Sequence, residues 1–323
     1  FQNFNLKRLY MNRRERFFGA VEGGTVDRVP VTVWMHFVTP YLSGEVSARR
    51  HCQFIKQYNW DLAKAVSDYR FPLPNGSKGI NTIGDFKRIK KVPMSHPTYT
   101  EQINLLKGMR SELGDEWPVI DTTFDPIQQV LRHAGFSAIQ LILDNFASAK
   151  PMIEAATETV INYVRELKIN GVDGVFYSTR AAATEACSYG FTQEAFEELL
   201  RPYDIAILEE MKGLVRMLHV CKSNLDLNRI KSYPHEVLSW ADKDPTCPTI
   251  AEVREITDKC LMGGIDQSNV TEQSIAEIQR DINSAISVTE SKNFILSPGC
   301  TIGSNVPEYV LDTIASFTKL HAN

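Results

Sequence analysis

Two short stretches of the chain carry the residue types from which a metal site is built. In VRMLHVC (215–221) an apolar run ends with His219 and Cys221 two positions apart, and FILSPG (294–299) is followed at once by Cys300. Residues i and i+2 of a strand point to the same face, so an extended 215–221 aims His219 and Cys221 together. Two thiolates and one imidazole suit Zn2+, which in catalytic sites takes three protein ligands and keeps a fourth position for water or substrate. The pair alone also reads as ordinary core, because a buried cysteine on a strand is more often packing than ligand. Cys300, placed just past a second strand-like run, favours the metal. Of the other cysteines, Cys52 lies in a helical pattern, Cys187 in a loop or helix, and Cys260 opens a run at the opposite end. Cys247, in DPTCPT (244–249), is the one spare thiol placed to approach the same region.

Positioning these groups requires a scaffold, and its pattern is regular. Apolar or β-branched runs at 29–35, 62–68, 117–123, 172–178, 215–221, 237–242, 260–266 and 294–299 alternate with helical spacings such as 150–171, 192–213 and 271–286. Strands apolar on both faces and alternating with helices predict a parallel sheet covered by helices. Eight runs predict a single (β/α)8 TIM barrel over 1–323, with 1–10 as an irregular leader. A dinucleotide-binding sheet would place a Gly-rich turn after its first strand, and WMHFVTPYL (34–42) has none. In such a barrel the active site lies at the C-terminal ends of the strands. The polar residues at those ends then become the candidates. Asp68 and His36 are expected to be catalytic, His36 as general base or substrate contact. Trp34, Tyr177, Arg180 and Asp125 are expected to bind substrate. Arg180 either meets an anionic substrate tail or pairs with Glu185.

Composition narrows the partners. The net charge of −4 carries no basic excess with which to track a phosphate backbone, so nucleic acid is not expected. No apolar run reaches the roughly 18–20 residues needed to span a bilayer, and no signal peptide is apparent. These features predict a cytoplasmic protein, whose six cysteines are core residues, ligands or nucleophiles rather than a disulfide framework.

Four stretches together resemble the uroporphyrinogen decarboxylase-like superfamily: RRERFFGAVEGGTVDRVPV (13–31), DLAKAVSD (61–68), KCLMGGIDQS (259–268) and FILSPGCTIGSNVPEYV (294–310). Porphyrinogen decarboxylases carry an Arg-rich segment after the first strand and a His near the position of Cys300. Here WMHFVTPYLSGE (34–45) has no Arg, and the second position is Cys. An octa-anionic substrate would therefore lack those guanidiniums, although Asp68 matches the family's catalytic carboxylate. The zinc-containing, corrinoid-dependent methyltransferases hold their metal with a His-x-Cys…Cys motif, which His219, Cys221 and Cys300 match residue by residue. The resemblance implies zinc and methyl transfer between a cobalamin (corrinoid) and a small thiol or methoxy compound, with a decarboxylase as the alternative. No Asp-x-His-x-x-Gly signature is present, so the corrinoid is expected to arrive free or on a separate corrinoid-binding protein. Two departures stand out: Lys222 replaces a frequent Gly after the first Cys, and 263-GG-264 replaces Gly-Asn.

Overall fold

Seven of the eight apolar runs form one parallel sheet. In the computed structural model, which describes residues 10–320 apart from 75, 76 and 78, the strands are β1 (Ala63–Lys64), β2 (Val119–Phe124), β3 (Gly174–Thr179), β4 (Val215–Val220), β5 (Val237–Ser239), β6 (Cys260–Ile265) and β7 (Phe294–Pro298). Each pairs in parallel with the next, in the order β1 to β7. Parallel neighbours need crossovers, and these are made largely by helices such as Pro97–Leu113, Phe146–Ile169 and Ile275–Thr289. The leader expected at 1–10 lies, apart from Tyr10, outside the described residues.

The eighth strand expected at 29–35 is not a regular strand. It makes isolated parallel bridges, Val31 with Leu296 and Met35 with Ile302. Thr32 N donates to Leu296 O (3.1 Å), Leu296 N to Pro30 O (2.9 Å), and on the other side Asp61 N donates to Val31 O (2.8 Å). Pro30 has no N–H to give to a ladder, which limits regular pairing here. The helix expected over 192–213 is also divided, into Gln193–Leu199 and Arg201–Glu210. Pro202 cannot supply the helical bond back to Glu198 and clashes with that turn, so the helix restarts. The Thr192 side chain caps the first of the two, accepting from Ala195 N.

The apolar side chains sort by strand parity into two cores. Leu62, Val66, Ile120, Phe176, Met217, Met262 and Ile295 gather with Trp34 in one cluster, while Val175, Tyr177, Leu218, Val220, Leu261 and Leu296 join the larger cluster against the helices. This period of two decides which polar residues share the inner face: Lys64, Thr122, Ser178 and His219 have the inner parity, and Tyr177 and Asp121 the outer.

Candidate metal centre

The residues beyond the inner core are the ones the strands carry to their C-terminal ends. β4 brings His219 and, one residue past its end, Cys221; the loop after β7 brings Cys300. Their ligand atoms all lie within 4.8 Å of one another, the one such group of His, Cys, Asp and Glu side chains among the described residues. His219 stacks on Phe176 with centroids 4.9 Å apart, and its Nδ1 lies 3.3 Å from Ser239 Oγ, which leaves Nε2 for a metal. Cys221 N donates to Thr179 O (2.8 Å), tying the turn after β4 to β3. The hydrogen bond between the two thiols lowers Cys300 to about 7 and, with burial, raises Cys221. Such a donor set, with one thiol already acidic, fits Zn2+. All six cysteines are free thiols. The spare, Cys247, is turned to the carbonyl of Lys222 (3.7 Å) and stands outside the three-residue group.

The three residues line a cavity of about 290 Å3 together with Trp34, His36, Lys64 and Phe176. A wider hollow beside it, about 680 Å3, shares Arg70 but holds none of the three. His36 Nδ1 lies 2.7 Å from Asp68 Oδ1, and Thr39 N donates to Asp68 Oδ2 (3.1 Å). Burial alone would raise the Asp68 carboxyl, but these bonds hold it at about 2. An ionised Asp68 can only accept, so His36 carries its hydrogen on Nδ1 and keeps Nε2 as a base.

Lys64 is the group that sequence reasoning missed. Its Nζ donates to Thr122 Oγ1 (2.9 Å) and lies 4.3 and 4.1 Å from the ring centres of Trp34 and Phe176. The Thr122 hydroxyl itself donates to Ala65 O (2.6 Å), so toward Lys64 it can only accept. Burial lowers the Lys64 ammonium to about 7, against the opposing pull of Cys300 and Asp121. The signal was available: a lysine inside an apolar run, four residues before Asp68 and of the same parity. Arg132 was missed as well, because it lies on a helix, Pro126–Ala134, rather than at a strand end.

Of the expected substrate contacts, Trp34, His36 and Arg180 line the cavity. Tyr177 and Asp125, expected there too, do not. Tyr177, of outer parity and fully buried, donates to Asp204 Oδ1 (2.6 Å), a carboxyl that also accepts from Thr179 and Tyr233. Asp125 caps the helix Pro126–Ala134, accepting from Gln128 N (2.7 Å) and Arg180 N (3.2 Å). Asp68 lies behind His36 rather than on the wall. The alternative partner for Arg180, Glu185, instead approaches Arg229 at 3.8 Å.

One of the two departures from the family pattern has a local reason. Gly264 has φ +101°, and a Cβ on Gly263 would sit 2.4 Å from Asp242 Oδ1, so the pair lets that carboxylate accept from Gly264 N (3.0 Å). Lys222 has φ +93°, a conformation that favours glycine, yet carries a long cationic side chain at the cavity.

The family described as uroporphyrinogen decarboxylase (URO-D) matches residues 66–320. A methyltransferase from Methanosarcina mazei superposes with a TM-score of 0.77 at 16% identity, over 96% of this chain and 99% of that one. B12-independent methionine synthases from Shewanella sp. W3-18-1 (TM-score 0.56, 14% identity, 86% of this chain and 87% of that) and, as a putative one, from Listeria monocytogenes (0.55, 16%, 86% and 85%) are also similar. At these identities the likeness is one of fold. No curated protein matches the chain.

Proposed function

The chain belongs to the uroporphyrinogen decarboxylase (URO-D) family, and within it we propose a zinc-dependent methyltransferase that moves a methyl group between a corrinoid and a small thiol or methoxy compound. The observation that carries this is the convergence of His219, Cys221 and Cys300 from β4 and the loop after β7 at one end of the sheet. His219, Cys221 and Cys300 would hold the ion, and three protein ligands are the number that catalytic zinc sites use. Zinc held there would lower the pKa of an incoming thiol and keep it as a nucleophilic thiolate, or polarise a methoxy oxygen.

The chain's own residues supply the rest. His36 Nε2, its tautomer set by Asp68, takes the proton that the thiol gives up. Trp34 and Phe176, packed edge to face at 5.2 Å, wall the reacting end from water. Cys300, already acidic beside Cys221, needs little further cost to become a ligand. The corrinoid is taken to arrive free or on a corrinoid-binding protein. The segment 29–35 then closes the sheet as the eighth stave of a (β/α)8 barrel, which its bonds to β7 and Asp61 support. No helix among the described residues is long and apolar enough to cross a membrane, and six free thiols suit a cytoplasmic setting.

Decarboxylation of a porphyrinogen is the second reading, favoured by Asp68. A cavity of about 290 Å3 is small for it, since sites for drug-sized ligands already run to roughly 300–1,000 Å3. Metal analysis separates the two. About one zinc per chain is expected in the purified protein, lost on Cys221→Ser or Cys300→Ser, together with thiol-dependent demethylation of methylcobalamin. Protein without zinc and without affinity for added zinc would sink the methyltransferase.

A further inference from the structure

Lys64 is a lysine in a row of core residues. It stands two positions after Leu62 and two before Val66, with their parity, and both neighbours belong to the inner apolar cluster. It is 4% exposed and yet lines the cavity. Other lysines of the chain answer their charge with a carboxylate, as Lys56 does with Glu112 and Lys243 with Asp281; Lys64 has no such partner among the described residues. Asp121, the carboxylate whose field reaches it, belongs to the outer face, where it accepts from Gln102, Tyr163 and Thr123. What surrounds Nζ instead is the Thr122 hydroxyl at 2.9 Å, itself committed as a donor to Ala65 O, and the faces of Trp34 and Phe176, two rings packed edge to face.

Those surroundings suit two states of one nitrogen. Desolvation favours the free amine and lowers the ammonium to about 7, against the pull of Cys300 and Asp121. Aromatic faces and an accepting oxygen favour a cation that keeps an N–H to donate. An amine that attacks a carbonyl and the iminium that follows need both in turn, and desolvated lysines are nucleophiles of this kind. We propose that Lys64 is a covalent site for a small aldehyde or ketone, which it captures in the cavity as an imine. The amine adds to the carbonyl carbon to give a carbinolamine; the C–O bond then breaks, the oxygen leaves as water with both hydrogens of the amine, and Nζ is left doubly bonded to that carbon. His36, whose Nε2 is the basic nitrogen, lines the same cavity and can take a proton from the attacking nitrogen and return it to the departing hydroxyl. Once protonated, the imine donates to Thr122 and rests its charge against Trp34 and Phe176. Neither zinc nor a corrinoid enters these steps, so the site goes beyond the proposed methyl transfer. The cavity volume of about 290 Å3 limits the carbonyl compound to a small one.

Benzaldehyde fits the cavity's scale, and cyanoborohydride reduces any imine it forms to a stable benzyl amine. With the purified protein at pH 7, peptide mass mapping over time should find Lys64 alkylated at least about 10-fold faster than any other lysine, because its amine is largely free at that pH and theirs are not. Lys64→Arg keeps a cation but cannot form this imine, so the fast adduct should disappear, with thermal unfolding confirming that the variant folds. The wild-type time course needs no variant. Labelling of Lys64 no faster than of the surface lysines overturns the proposal, as does a fast adduct that maps to another residue or persists in Lys64→Arg. Zinc is measured on the same samples, before and after chelation. Fast labelling of Lys64 in protein without zinc upholds the imine site even where the metal reading fails.

Discussion

His36 and Asp68 form a dyad: Nδ1 of the imidazole lies 2.7 Å from Oδ1 of the carboxylate, whose other oxygen accepts from both the backbone N and the hydroxyl of Thr39. One residue follows the segment that bridges to β7 and the other follows β1, so the dyad ties that segment to β1 at the C-terminal ends of the strands. It also fixes which ring nitrogen is basic.

The dyad makes stability depend on acid. Asp68 has a folded-state value of about 2, below its ordinary 3.8, so its contribution is present above pH 4 and is lost as pH falls through 2. At pH 5 the wild type should exceed Asp68→Asn by about 2 kcal/mol, and the gap should close toward pH 2. Urea unfolding at a series of pH values measures it. A gap that does not narrow on acidification contradicts the assignment.

Lys64 should act with the opposite sign. Its folded value, about 7, is depressed from 10.5, so the cost of burying the ammonium is fully present below pH 7 and fades as pH rises to 10.5. Losing the Thr122 bond and the two ring contacts offsets part of the gain from removing the charge. In metal-free protein Lys64→Met is expected to be more stable than wild type by about 1–2 kcal/mol at pH 6, with the advantage shrinking toward pH 10. Thermal melts across that range test it.

Lys222→Gly should relieve the strained φ of +93°. The added freedom of the unfolded chain offsets part of the relief, leaving a gain of about 1 kcal/mol. Urea unfolding of the variant measures it. A variant that is less stable would show that the lysine is held there for some other reason.

Tyr177→Phe separates packing from binding. It removes one donor to Asp204, a buried carboxyl that desolvation, and then Asp125, raise to about 8. A loss of about 1–2 kcal/mol in urea unfolding is expected, with less than a two-fold change in zinc affinity. A large change in affinity would return Tyr177 to the cavity wall.

Much of this molecule is local enough to read along the chain. Alternating apolar runs and helical spacings locate seven strands, and the i, i+2 spacing of His219 and Cys221 puts both on one face whatever the rest of the fold does. The same rule, applied within one strand, would have separated Tyr177 from Arg180, since an odd and an even position of a straight strand face opposite layers. The irregularity of 29–35 was also written there, in Pro30, and the break near residue 200 in Pro202.

Other features depend on contacts that no spacing encodes. Cys300 meets Cys221 only because β4 and β7 deliver their ends to one mouth. Lys64 becomes a buried, depressed ammonium only when Trp34 and Phe176, from distant parts of the chain, close over it. Asp125 looked chemical at a strand end and proves to be a helix cap. Periodicity follows from backbone geometry and is local, so the sequence alone determined the elements and the face each residue takes. Burial, desolvation and the surroundings of a charge depend on what is brought alongside, and so the burial of Arg180 and the stacking of Arg132 on Phe124 appear only in the tertiary structure.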